Sequence, residues 1–83
     1  MNHIEKIKDI IATISIVSAE EIKSDDSLSL IGIDSLSMVT LIVDLEDNFG
    51  IMFDVSELDP KQLETVGSII QLTEKYINIK EES

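Results

Sequence analysis

The sequence contains no cysteine, no arginine and no tryptophan, and it has one histidine, one proline and three glycines. Without cysteine there is no disulfide framework, no thiolate to bind a metal, and no thiol on which the unaided chain would carry a thioester. With no arginine and only six lysines against 17 acids, nucleic acid is excluded as a partner, because such binding draws largely on basic side chains against phosphates. His3 is the only imidazole and is read as a solvated residue near the N-terminus. No nucleophile, base and orienting group can be assembled from this inventory, so the chain is not expected to be an enzyme. No apolar run approaches membrane-spanning length, and MNHIEKIKDI lacks an apolar signal-type stretch. The expected location is therefore the cytoplasm, with no membrane partner.

What is present is a small acidic chain with a helical rhythm. Its 83 residues suit one domain spanning 1–83, and 43% apolar residues suffice for a core. The formal net charge of −11 favours basic partners, steered at long range, and a monomer. Ile4, Ile7, Ile11 and Ile14 recur at helical steps, with Ile10 and Val17 widening the stripe, which predicts an amphipathic helix over 4–17. A long Ser- and Asp-rich connection follows over 18–33, pinned by Ile22, Leu28 and Ile31. The second helix is predicted over 35–49 and ends at Gly50, a natural left-handed terminator. Ser56 is the expected N-cap of a short third helix, ELDPKQ, that Pro60 keeps short. Thr65 caps a fourth helix with Val66, Ile69, Ile70, Thr73, Tyr76 and Ile77 on one face, and residues 80–83 are expected to fray. The fold class is all-α, a four-helix bundle with a long first loop and a short third helix.

The second helix carries two apolar faces. At 100° per residue, Met38, Leu41, Ile42, Leu45 and Phe49 fall together as the core face. Leu36, Val39 and Val43 fall on the opposite side, flanked by Glu46 and Asp47. So small a domain does not bury both, and an apolar stripe ringed by acids reads as a docking surface. The competing reading has the preceding loop folded over that stripe.

Ser35 stands at the mouth of this helix. Asp34 is suited to be the N-cap, which makes Ser35 the first helical residue, its hydroxyl projecting where the helix dipole favours an anion. From the residues alone, an ordinary cap and an attachment point for a phosphate ester both remain open. A calcium loop does not fit: counting from Asp25, the sixth position is Leu30 where glycine is needed and the twelfth is Leu36 where a bidentate Glu belongs.

The stretch GIDSLSMVTLIVDLEDNFGI resembles the acyl carrier protein family, whose pattern Gly-x-Asp-Ser-Leu leads into a helix ending Leu-Glu-x-x-Phe-Gly. Gly32, Asp34, Ser35, Leu36, Leu45, Glu46, Phe49 and Gly50 stand at the matching positions, and Thr65-Val66 matches the usual opening of the last helix. The resemblance implies that a phosphopantetheinyl transferase, using Mg²⁺ and coenzyme A, places 4′-phosphopantetheine on Ser35, with Asp34 as N-cap and recognition residue. It further implies acyl-loading and acyl-processing partners whose basic patches meet Asp34, Glu46 and Asp47 and whose apolar contacts meet Leu36, Val39 and Val43. The sequence departs from carriers of fatty-acid synthesis, which carry acids where Ser37 and Thr40 stand and read Ile-Pro-Asp-Glu-Glu-Ala-Glu where this chain has IMFDVSELDPKQLETV. These departures suggest a stand-alone carrier of a specialised pathway, polyketide, hybrid peptide or other acyl transfer. The alternatives are a housekeeping fatty-acid carrier, an aminoacyl or peptidyl carrier, and an acidic helical interaction module without a prosthetic group.

Overall fold

Three α-helices form the body of the molecule in a computed structural model, which describes residues 3–59 and 61–82. Helix α1 spans His3–Ile14, α2 spans Ser35–Phe49 and α3 spans Val66–Glu82, with single 3₁₀ turns at Ala19–Glu21 and Val55–Glu57. Among the described residues there is no strand, only an isolated antiparallel bridge between Ser27 and Thr65.

Helix α1 packs on both α2 and α3 and sends Ile7, Ile10 and Ile11 into the core. β-Branched residues are mediocre helix formers, so this helix depends on burial of its stripe more than on local preference. The helix ends at Ile14, three residues before the predicted limit, its last regular bond running from the Ser15 N–H to the Ile11 carbonyl at 2.9 Å. The Ser15 hydroxyl donates to the Val17 carbonyl at 2.9 Å and accepts from the Val17 N–H at 3.2 Å. A serine that bonds its own backbone offers the chain an alternative to another helical turn. Val17 still packs on the core from outside the helix.

Helix α2 is closed at both ends. Asp34 is its N-cap, and Gly50 follows it in the left-handed region at φ 62°. There the Lys80 ammonium, in the last turn of α3, donates to the Phe49 carbonyl at 3.0 Å. A Cβ on Gly50 would lie 2.7 Å from that nitrogen, so glycine serves both the turn and the close approach of the lysine.

Helix α3 begins as expected: the Thr65 hydroxyl accepts from the Ser68 N–H at 3.2 Å. Val66, Ile69, Ile70, Thr73 and Ile77 are buried, and the Thr73 hydroxyl is satisfied by the Ile69 carbonyl at 2.7 Å. The helix runs on to Glu82, through the stretch expected to fray. Ser83 lies outside the described residues.

The short third helix needs a larger correction. It is one 3₁₀ turn at Val55–Glu57, placed earlier than ELDPKQ. Asp54 starts it in place of Ser56, its carboxylate accepting from both the N–H and the hydroxyl of Ser56 at 2.9 Å. A second turn follows, in which Asp59 accepts from Lys61, Gln62 and Leu63. Two Asx-type turns in succession divide a segment that one helix would otherwise occupy. Pro60 lies outside the described residues.

Candidate functional site

Ser35 is the first residue of α2, and its side chain is exposed. The chain reaches it through Gly32, which sits at φ 92° with the Ile16 side chain only 2.9 Å from where a Cβ would be. Ile31 and Ile33, on either side of this glycine, are both buried, and the Ile16 N–H donates to the Ile31 carbonyl at 2.8 Å. The turn therefore delivers Asp34 and Ser35 to the surface from two buried anchors. Asp34 Oδ1 accepts from the Ser37 N–H at 2.8 Å. The Ser37 N–H, and after it the Ser37 hydroxyl, hold the Asp34 carboxyl below its ordinary pKa, so the cap is charged at neutral pH.

The outer face of α2 is open. Leu36, Val39 and Val43 retain 79%, 61% and 47% of their surface, whereas Leu41 and Leu45 on the inner face retain none. Met38 and Phe49 are half-buried against the core. The first loop buries Leu28, Ile31 and Ile33 beside the stripe and leaves Leu36, Val39 and Val43 exposed, so the loop-covered alternative does not hold. Asp47 is exposed beside the stripe. Glu46 differs from the expectation of a freely offered acid: it is half-buried, and one carboxylate oxygen accepts the Phe53 N–H at 2.9 Å, tying the second connection to α2.

A groove of about 820 Å³ opens beside Ser35. Its walls are Met38, Val39, Ile42 and Val43 of α2, Ser27, Leu28, Ser29 and Ile33 of the first connection, and Leu58, Leu63 and Glu64 of the second. That volume lies in the range of small-molecule sites, and the lining joins the apolar side chains of α2 to the polar residues Ser27, Ser29, Asp34, Ser35 and Glu64. The groove residues outside α2 were missed by sequence reasoning, although Ile33 was detectable: Ile31 and Ile33 alternate about an exposed glycine.

Among the described residues the single imidazole stands at the other end of α2 from Ser35. His3 is not a loose terminal residue: it opens α1, lies half-buried edge-on to the Phe49 ring at 5.9 Å, and approaches Glu81 with Nε2 at 3.8 Å. Phe49 is at the far end of α2, roughly 20 Å from Ser35 at 1.5 Å per residue. Among the described residues no three His, Asp or Glu side chains converge to hold a metal, and no helix is long and apolar enough to cross a membrane.

Comparison with known proteins gives a consistent picture. Residues 5–73 match the family model described as the phosphopantetheine attachment site. An acyl carrier protein of Chlamydia trachomatis serovar L2 is 40% identical over 63 residues, which cover 75% of this chain and 79% of that protein. One from Chlamydia muridarum is 38% identical over the same shares. The solution structure of a holo acyl carrier protein from Nitrosomonas europaea superposes with a TM-score of 0.79, covering 94% of this chain and 99% of that one, at 24% identity. The fold is thus shared well beyond the similarity of sequence.

Proposed function

The chain belongs to the acyl carrier protein family, and from that membership we propose that Ser35 is the residue that bears its covalent 4′-phosphopantetheine. The observation that carries the reading is an exposed hydroxyl at the mouth of α2, opening onto a groove with an apolar wall. The residues fit the group: the hydroxyl is accessible, the positive end of the α2 dipole favours a phosphate there, and the groove is large enough to receive part of the arm or its cargo. The group supplies the thiol that this chain lacks, on which acyl groups travel as thioesters.

The contribution of the chain is to present and to dock, because acyl carriers are not catalysts. Ser35 Oγ forms a bond to phosphorus as adenosine 3′,5′-bisphosphate leaves coenzyme A, and the serine proton passes to a base of the transferase. Asp34 fixes the helix end that holds Ser35 and adds negative charge beside it. Leu36, Val39 and Val43 form the apolar contact for partner enzymes, with Asp34, Asp47 and the remaining oxygen of Glu46 facing their basic patches. A net charge of −11 steers such partners and permits rapid release. Ser37 and Thr40 remove the acids that fatty-acid carriers have in the first turns of this helix, which supports a specialised acyl pathway. Intact-mass analysis of protein from its native host identifies the cargo, and a straight-chain fatty acyl group would overturn that part of the reading.

The test is a loading assay with coenzyme A, Mg²⁺ and a broad-specificity phosphopantetheinyl transferase, read by intact mass. The parent chain gains one phosphopantetheine, and Ser35→Ala gains none while its helical circular dichroism persists. In the same assay Val39→Asp loads roughly tenfold more slowly, the effect of losing about 1.4 kcal/mol of contact. Its stability changes by about 0.5 kcal/mol or less, because Val39 is exposed. Loading of Ser35→Ala, or none of the parent, overturns the attachment site. Unchanged kinetics in Val39→Asp remove the docking surface.

A further inference from the structure

The two sides of the groove away from α2 are held by different means. Leu63 is buried, and next to it the Glu64 carbonyl accepts the Leu28 N–H at 2.9 Å, so this side is fixed to the first connection by backbone. Leu58 is half-buried and follows a 3₁₀ turn whose own backbone bonds are local, from Glu57 N–H to Asp54 and from Leu58 N–H to Val55. Leu58 packs against the core, and the polar tie between that turn and the bundle is a cluster on α3. The Tyr76 hydroxyl accepts from the Asp54 N–H at 3.1 Å and donates to Glu57 Oε1 at 2.7 Å. The Lys75 ammonium donates to Glu57 Oε2 at 2.8 Å, and the Tyr76 ring stands edge-on to Phe53 at 5.2 Å. Both carboxylate oxygens of Glu57 are thus occupied, and the phenol bridges the start and the end of the turn.

We propose that Glu57, Lys75 and Tyr76 form a latch that positions the Leu58 wall of the groove, and so sets how far an acyl chain lodged beside Ser35 is shielded from solvent. The proposal rests on the reading of Ser35 as the attachment site. Tyr76 acts through Leu58: it does not line the groove, and its hydroxyl determines where a lining residue stands. Contacts of this kind lie at the surface and open at low cost, which suits a wall that must yield to admit and release cargo. Leu63, fixed by backbone, does not yield.

Two measurements test the latch. The first is amide exchange on the unmodified chain, which does not involve Ser35. Tyr76→Phe exchanges at Asp54, Glu57 and Leu58 roughly tenfold faster than the parent, while α1 and the core of α2 are unchanged. Lys75→Met gives a smaller acceleration at the same amides. The second uses protein loaded from octanoyl- or acetyl-coenzyme A by a broad-specificity transferase. Hydroxylamine attacks the thioester carbonyl, forming a hydroxamate and releasing the thiol. In the parent the octanoyl thioester is cleaved more slowly than the acetyl. Tyr76→Phe speeds octanoyl cleavage about threefold and leaves acetyl cleavage unaltered, as a shift in wall population requires. Glu57→Gln, which keeps an acceptor for the phenol, falls between the two. Unchanged exchange in Tyr76→Phe, equal cleavage of the two cargoes in the parent, or parallel acceleration of both in the variant overturns the latch. A failure to load at all counts against Ser35, and the exchange result still decides the latch.

Discussion

The connections on either side of α2 solve the same problem with different physics. The first, between α1 and α2, is held by apolar burial of Ile22, Leu28, Ile31 and Ile33 and by backbone bonds across the molecule. Ile16 reaches Ile31, Leu28 reaches Glu64, Val66 reaches Asp26 and Gly67 reaches Ser24, all at 3.0 Å or less. The second, between α2 and α3, buries Phe53 and Leu63 but depends in its middle on side chains: Glu46 on Phe53, Tyr76 on Asp54 and Glu57, Lys75 on Glu57. Burial and backbone bonding are nearly indifferent to ionic conditions, whereas exposed charged contacts are screened by salt and titrate. One side of the Ser35 groove is therefore built to stay and the other to respond.

Truncation gives the largest effect that can break this contrast. Leu28 is 2% exposed, so Leu28→Ala should cost about 2–4 kcal/mol and lower the melting temperature on the order of 15 °C in a chain this small. Leu58 is only half-buried where it packs on the core, so Leu58→Ala should cost less than about 1.5 kcal/mol. Thermal and urea unfolding followed by circular dichroism give both values. Equal losses would mean that the second connection is as much a part of the core as the first.

The contrast also explains what the sequence disclosed. The all-α class, the limits of α2, the cap at Thr65 and the anchors Ile22, Leu28 and Ile31 all follow from apolar spacing and cap chemistry, which act over a few residues. So does the exposure of Leu36, Val39 and Val43, because one helix cannot bury two opposite faces in a small domain. The end of α1 was misplaced because Ile-Ser-Ile-Val continues an apolar period that the Ser15 hydroxyl interrupts. The short third helix was misplaced because Asp54 and Asp59 outcompete Ser56 as turn formers. Glu46 looked like a surface acid because nothing in its own helix announces a Phe53 N–H seven residues on. The Glu57–Tyr76 contact joins residues 19 apart, through polar groups with no periodic signature. Local rules reach the first connection and stop at the second.

Acid should separate the two connections with the smallest effect of all, visible locally and barely in global stability. Glu57 is held below its ordinary pKa by its hydrogen bonds from Lys75 and Tyr76, and Asp54 by the N–H and then the hydroxyl of Ser56. A carboxylate depressed in the folded state contributes stability above its unfolded pKa and loses it as pH falls through the folded value. The latch should thus hold from neutrality down to the ordinary carboxylate range near pH 4 and weaken below it. The same protonation reduces a net charge of −11 and relieves repulsion across the molecule, so the melting temperature is a poor witness. Amide exchange, corrected for its intrinsic pH dependence, is a better one. Between pH 7 and roughly pH 3, protection should fall at Glu57 and Leu58, whose turn is held through the Glu57 carboxylate, while it persists at Leu28 and Ile33, whose segment is pinned by their own buried side chains. Parallel loss at all four amides would show one cooperative unit around the groove, and the responsive wall would be no more independent than the fixed one.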